Sequence, residues 1–219
     1  MHYQLRHICI IKFLIGYRET KIFAMQHAKQ FYSYLNKFVP ITEEEFKAYM
    51  LPYLIERRFG KKEIVSKEGE VEDYLNFITE GLVRKYYVQN NSEVNTQISH
   101  EGHIIHAQES FHSRKPSEYF VETIEPTVFI SITYNDLEKL YAQNIKLERL
   151  GRLVITYTMV QKDRWQMQMI KLGPRERFLF FVDRHPDLLQ RVPQKHLASF
   201  LNIQPETFSR FKHLVKLKR

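Results

Sequence analysis

Apolar positions recur at helical spacing towards both ends of the chain and alternate in short runs through its middle. Over residues 26–56 Phe31, Leu35 and Phe38 fall on one helical pattern. Thr42 ahead of Glu43-Glu44-Glu45 is a helix-start signal, continued by Phe46, Tyr49 and Met50. From Arg58 to Thr133 the character changes, and strands are predicted over Tyr74–Ile78, Leu82–Val88, Val94–Ile98, Tyr119–Ile124 and Thr127–Thr133. Gly60, Gly69, Gly81 and Gly102 sit between these runs, and Asn90-Asn91 signals a hairpin. Short strands at this spacing predict a β-sandwich or jelly-roll barrel. From Asn135, read as a cap, to Leu172 the spacing predicts one long helix in which Leu147, Leu150, Val154 and Tyr157 form an apolar stripe. Such a stripe either covers the barrel or forms a helix–helix dimer seam, and the length of the helix favours the seam. Gly173-Pro174 ends it, and Glu176–Leu189 reads as a further helix broken near His185-Pro186.

The last 27 residues, Pro193–Arg219, hold the most specific pattern. A short helix, Gln194–Leu201, places Leu197, Ala198 and Leu201 on one face, and the small Ala198 lets another helix cross closely. Asn202 stands where a turn needs left-handed backbone, which Asn tolerates. Pro205 suits the first position of the next helix, and Glu206 complements the positive end of its dipole. Phe208, Phe211 and Val215 predict a buried face. The opposite face carries Glu206, Ser209, Arg210, Lys212, His213 and Lys216. A helix–turn–helix with a polar, basic second helix is what reading the major groove of DNA requires; the alternative on spacing alone is an ordinary helical hairpin.

Charge separates these readings. Residues 146–219 carry 16 basic and 6 acidic side chains, net +10, whereas the preceding 145 residues carry 17 and 19. The whole chain's net +8 therefore comes from the last third. Basicity confined to the segment with the helix pair is the footprint of phosphate contacts, which favours DNA. Length (219 residues) and 43% hydrophobic content allow one large domain or two modest ones. Cys9, the single cysteine, excludes an intramolecular disulfide and a four-cysteine cluster and fits a reducing cytoplasm. The run Ile8–Ile15 is too short to span a membrane. Met25 suggests that the segment before it is an upstream extension.

The order helix, barrel, long helix, helix–turn–helix resembles the cAMP receptor protein/FNR (Crp/Fnr) family of bacterial transcription regulators over roughly residues 27–214. The resemblance rests on Gly60-Lys61-Lys62-Glu63, Glu68-Gly69, Tyr74-Leu75-Asn76-Phe77-Ile78 and Gly81-Leu82-Val83-Arg84. It continues in Gln108-Glu109-Ser110-Phe111, Lys115-Pro116-Ser117, Thr123-Ile124-Glu125, and Leu197-Ala198 with Pro205-Glu206-Thr207-Phe208-Ser209-Arg210. It implies an α+β fold: an N-terminal cyclic-nucleotide-binding-like jelly-roll barrel (27–134) after an uncertain extension (1–26), a long dimerisation helix (135–172) and a C-terminal helix–turn–helix domain (173–219). It also implies a homodimer on a palindromic double-stranded DNA operator, with RNA polymerase as a further partner. Arg210 and Glu206 fall on base-contacting positions. Thr207, Ser209, Lys195, Lys212, His213 and Lys216 are expected mostly at phosphates.

Three departures from the family pattern change what is expected. His106-Ala107 replaces the Gly-Glu pair that holds a cyclic nucleotide's ribose, and Ser117-Glu118 replaces the Arg-Ser or Arg-Thr pair that holds its phosphate. Ala107 cannot accept a hydrogen bond from its side chain and Glu118 would repel a phosphate, so cAMP is not expected to bind in the usual way. Gly102, His106, Gln108, Ser110 and Ser117 remain candidates to line an effector pocket of unknown ligand, and a constitutive binder with a vestigial sensor stays open. Pro205 replaces the family's first base-reading arginine, and the chain stops at Arg219 without room for a β-hairpin wing.

His100, His103, His106 and His112, with Glu101 and Glu109 among them, raise the competing reading of a metal- or ligand-binding, cupin-like jelly roll with a basic tail. On a strand His103 would point away from His100 and His106, and no histidine occurs between His112 and His185 to complete a site. No metal is therefore expected. Catalysis is not expected either, since the chain has no Gly-rich phosphate loop, nucleophile elbow or paired catalytic carboxylates.

Overall fold

The computed structural model describes residues 26–216, with side chains as far as Lys212. The expectations for Ile8–Ile15, Cys9 and Met25, and for the side chains of His213, Val215 and Lys216, lie outside what is described. The opening helix, α1 (26–35), is followed by α2 (Glu43–Glu45), which runs on through a π-helical turn (Phe46–Met50) and a 3₁₀ turn (Leu51–Tyr53). Thr42 caps α2 as its sequence predicts: its hydroxyl accepts from the N–H of Glu45, whose carboxylate accepts from the N–H of Thr42. The expected helical region to residue 56 stops early, because Ile55–Phe59 is already β1.

Eight antiparallel strands follow: β1, β2 (Ile64–Ser66), β3 (Tyr74–Glu80), β4 (Leu82–Gln89), β5 (Ser92–His100), β6 (Ile104–Ile105), β7 (Phe120–Thr123) and β8 (Thr127–Thr133). They form two four-stranded sheets, in the orders β1-β8-β3-β6 and β2-β7-β4-β5, the two-layer arrangement of a jelly roll. The β4–β5 hairpin turns at Asn90 and Asn91, both in left-handed backbone (φ 50° and 59°), as a tight hairpin requires. Helix α3 (Gln108–Ser113) sits between β6 and β7.

Three apolar clusters hold these layers. Ile78, Val83, Ile105, Val121 and Phe129 fill the space between the sheets. Phe31 and Leu35 of α1 pack with Phe77, Phe111, Ile130 and Ile132 against the outer face of the first sheet. Leu82 and Ile124 join Phe178, Phe181, Leu197 and Phe208 of the C-terminal helices on the outer face of the second. Both faces of each sheet are therefore covered. That is why β8 is buried almost throughout, and β4 from Leu82 to Tyr86, instead of alternating between core and solvent.

The expected single helix from Asn135 to Leu172 is two helices, α4 (Tyr134–Gln143) and α5 (Ile145–Lys171). Asn144, in extended backbone, breaks them and caps α5 by accepting from the N–H of Lys146. Thr133, two residues before the expected Asn135, caps α4. The stripe expected as a dimer seam is largely spent within the chain. Leu147, Leu150 and Val154 are buried in the cluster around Phe31 and Phe77, and Tyr157 lies half-exposed with its ring 5.3 Å from that of Phe38. Besides Tyr157, the exposed large apolar side chains of α5 are Ile145, Met159, Val160, Met167 and Ile170, on the other side of the helix.

Beyond Gly173 the chain forms α6 (Pro174–Arg184), α7 (Leu188–Arg191), α8 (Gln194–Phe200) and α9 (Pro205–Lys216). The expected break at His185-Pro186 separates α6 from α7. Asn202 adopts left-handed backbone (φ 51°) between α8 and α9, and Pro205 opens α9.

The α4–α5 junction depends on a side chain that is missing. A Cβ at Gly151 would collide with the ring of Tyr141, lying 2.6 Å from its Cε1. Replacing Gly151 with Ala is expected to cost about 1–3 kcal/mol through overpacking, read as a lower urea midpoint. Adding Tyr141→Ala should return part of that loss; two purely additive losses would show that the two positions do not meet.

Candidate functional site

Two candidate sites were expected, one on the last helix pair and one in the barrel. On the helix pair, Phe208 is fully buried, its ring 5.2 Å from Phe178, and Phe211 packs beside it. Glu206, Ser209 and Arg210 are exposed, Thr207 and Lys212 half-exposed, and Lys195 is exposed near the start of α8. Arg210 donates to the Thr207 hydroxyl over 3.1 Å along the outer face of α9. The turn between the helices is tied from outside: Arg177 on α6 donates to the carbonyls of Leu201 (3.3 Å), Asn202 (3.1 Å) and Leu172 (2.9 Å). The polar and basic side chains of α9 thus share a solvent-facing surface over a packed apolar one.

Helix α8 is anchored to the barrel by a charged residue that sequence reasoning passed over. Arg84 of β4 points outward with a side chain only 3% exposed. Its guanidinium donates to Glu122 (2.7 Å), Glu93 (2.7 Å) and the Asn95 side chain (3.3 Å), and lies 3.1 Å from Nδ1 of His196 on α8. An arginine has no acceptor, so His196 must accept through Nδ1 and carry its proton on Nε2. Burial and the neighbouring Arg84 hold its pKa down, at about 4. Desolvation works against the charge of Arg84, but the hydrogen-bonded carboxylates of Glu93 and Glu122 outweigh it and raise its pKa. Ser199 adds a second link, accepting from the N–H of Asn95 (2.9 Å) and donating to the carbonyl of Glu93 (3.2 Å). Arg191 at the end of α7 makes a third, bridging Glu101 (2.8 Å) and Glu125 (2.7 Å) on barrel loops.

The five residues expected to line an effector pocket are not gathered together. Gly102 lies in an exposed turn with left-handed backbone (φ 82°). The Ser110 hydroxyl is spent on the carbonyl of Lys115 and the N–H of Glu72, and that of Ser117 on the backbone of Tyr119. His106 and Gln108 do line a cleft, with Leu75, Ile104, Val154 and Lys162 among its other walls. Ala107 is buried and its N–H donates to Glu72, while Glu118 is exposed. Lys85, next to Arg84 but pointing into the barrel, is 7% exposed, and burial together with Lys162 brings its pKa down to about 7. An Arg-Lys pair inside an otherwise apolar strand was the available signal for both residues.

The histidine group splits in two. Residues 101–103 form a turn, not a strand, which brings the ring of His103 4.3 Å from that of His100. His185 at the end of α6 approaches His100 at 6.2 Å, a partner that linear spacing hid. His106 is turned towards His112, their rings 6.1 Å apart. Among the described residues no group of three or more His, Cys, Asp or Glu side chains is placed to hold a metal ion. No helix among them is long and apolar enough to cross a membrane.

Residues 56–144 match the cyclic nucleotide-binding domain family. No curated protein matches the chain in sequence. The fold is similar to FixK2 from Bradyrhizobium japonicum, at 16% identity and a TM-score of 0.65 over 75% of this chain and 85% of that one. It is also similar to the c-di-GMP responsive global regulator CLP of Xanthomonas campestris, at 16% identity and a TM-score of 0.60 over 80% of this chain and 93% of that one. A third likeness is to a protein from Eubacterium rectale assigned to the crp/fnr family of transcriptional regulators, at 12% identity and a TM-score of 0.59 over 81% of this chain and 85% of that one.

The anchor on α8 has a pH signature. His196 takes up a proton near its ordinary value of 6.5 once unfolded, but only near pH 4 in the fold. Between those values the unfolded chain binds more protons, so stability falls as pH falls through that window. Replacing His196 with Gln, which keeps an acceptor for Arg84 but cannot titrate, should flatten the urea midpoint between about pH 6.5 and about pH 4 relative to the parent. Identical slopes would show that His196 is not held neutral by Arg84.

Proposed function

We propose that this chain, a cyclic nucleotide-binding domain on the fold shared with Crp/Fnr regulators, is a sequence-specific DNA-binding regulator of transcription that acts as a homodimer. The observation that carries this reading is the outer face of α9. Arg210, Thr207, Ser209 and Glu206 reach solvent together, over a face whose Phe208 is locked into the core. They belong to the third of the chain that holds its excess positive charge, net +10. Arg210 reads a guanine through O6 and N7, and Glu206 accepts from a cytosine amino group. Thr207, Ser209, Lys195, Lys212, His213 and Lys216 act mainly on phosphates and fix the register of α9 in the major groove.

The dimer forms through α5. With Leu147, Leu150 and Val154 already inside the chain's own core, the seam falls to Met159, Val160, Met167 and Ile170, whose exposure on one side of a 27-residue helix is otherwise costly. Two copies paired along this side present two α9 helices to one side of a duplex. Half-sites about 34 Å apart on an inverted repeat follow from that symmetry. A jelly roll that acts through a metal with a merely basic tail is less well supported, since the histidines divide into two separate groups.

Selection of bound sequences from a random DNA library should return an inverted repeat, and no enriched sequence would remove the regulator reading. Arg210→Ala should lose about 1–3 kcal/mol of discrimination at one base pair of each half-site. Equal affinities of parent and variant for cognate and random DNA would exclude Arg210 as a base reader.

A further inference from the structure

Where the barrel meets α5, basic groups gather that neither the fold nor DNA contact uses. His106 is buried at 7% exposure, and both of its ring nitrogens are without a hydrogen-bond partner. Native interiors satisfy nearly all such groups, so an orphaned imidazole lining a cleft marks a place where a ligand atom belongs. Lys85 of β4 lines the open groove beside this cleft, near enough that, after burial, its charge helps hold the pKa of His106 down. Its register partner Gln97 faces it from β5, and its ammonium lies 5.2 Å from the centre of the Tyr119 ring. Among the described residues no carboxylate is within ion-pair distance of Lys85. Glu72, the acid whose field reaches it, gives its two oxygens to the N–H groups of Tyr74 (3.1 Å) and Ala107 (3.2 Å). Lys162 of α5 lies across the mouth of the cleft with its ammonium on the side-chain oxygen of Gln108, and His112 stands behind His106. Glu138 faces His112.

We propose that the oxyanion group of a small molecule, a phosphate or a carboxylate, binds where this cleft opens into the groove, with His106 on one side and Lys85 and Lys162 on the other. Among the described residues neither Lys85 nor Lys162 has an ion-pair partner, the oxygens of Glu72 are held by backbone N–H groups, and Glu138 acts on His112, so an anion is the ligand that restores balance. Size limits what the base of the cleft can take. The cavity measures about 20 Å³, room for about one oxygen-sized atom at its base. The oxyanion enters head first, displacing the flexible Lys162 and Gln108 side chains, and the rest of the molecule lies in the open groove between β5 and α5. Lys85 is half-charged near neutral pH, and an anion beside it favours the ammonium, so binding takes up a proton. Affinity is therefore higher below pH 7 than above it.

Binding itself stands apart from the DNA reading; only its role as effector rests on that reading. The full chain, without DNA, is titrated calorimetrically with inorganic phosphate, succinate and cAMP in turn, at about pH 6 and about pH 8.5. Saturable binding of phosphate or succinate, about tenfold or more tighter at the lower pH, is the expected result. The stronger of these two probes identifies the head group. Lys85→Met and Lys162→Met should each weaken it about tenfold or more. Lys162 is exposed, and Met in place of Lys85 relieves a buried amine, so both variants should keep the parent's circular dichroism and melting behaviour. Lys85→Arg should retain more affinity than Lys85→Met. The proposal is overturned if neither phosphate nor succinate binds at either pH, if both Met variants bind as the parent does, or if cAMP binds and the two small probes do not.

Discussion

Arg84 is the residue on which the relation between barrel and helices depends. A guanidinium so nearly excluded from water is tolerable only while several acceptors surround it, and breaking such a group out of its network typically costs about 3–5 kcal/mol. Glu93, Glu122 and Asn95 come from the barrel, but His196 comes from α8. The helix pair is therefore not a bead on a linker. Its first helix completes the solvation of a buried charge on β4, while Leu82 and Ile124 on the same side share a core with Phe178, Leu197 and Phe208. Trp165, stacked 4.8 Å from Phe200, ties α5 into the same assembly. Helix α8 takes up the contacts with the barrel and leaves the polar side of α9 free.

The second organising constraint is the double burial of both sheets. A jelly roll alone could leave its outer faces to water. Here α1, α4 and α5 cover one sheet, and the C-terminal helices cover the other. The stripe Leu147–Leu150–Val154 is used up in this way, so α5 needs a second apolar side if it is to meet another copy. The break at Asn144 follows from the same demand, because α4 folds back over Gly151 at a distance that only a residue without a side chain allows.

Local chemistry was legible in the sequence. Thr42 with Glu45, Asn90-Asn91, Asn202 and Pro205 each specify a backbone state through their own covalent structure, and each was readable within four residues. Strands with clear alternation or apolar runs, β3, β4, β5 and β8, were legible too. β1 (Ile55–Phe59), β2 and β6 were not, because the first carries Glu-Arg-Arg and the others are too short to show a period. Asn144 was hidden for a different reason: in a helical pattern an Asn reads equally as interior or as cap, and only the packing of α4 on α5 decides. The candidate sites were half legible. Arg210 and its neighbours followed from spacing, and His106 and Gln108 from resemblance. Arg84, Lys85, Lys162 and His196 were not, since a charge is expected at the surface until the partners that bury it are known. His185 reached His100 across 85 residues that no periodicity connects.

Arg84 and Lys85 are consecutive residues on one strand, and the twofold alternation of β-structure sends them to opposite sides of the barrel wall. The parity of β4 is thereby fixed by more than hydrophobic preference. One residue gained or lost between Gly81 and Arg84 would exchange the two cations, setting a single ammonium before four separated acceptors that a planar five-donor fork now satisfies. Substitutions along this strand can be absorbed by neighbours, but a change of length cannot. The spacing from the Gly81 turn to Lys85 is thus a dimension of the molecule in its own right, as binding for its evolution as the identity of any side chain within it.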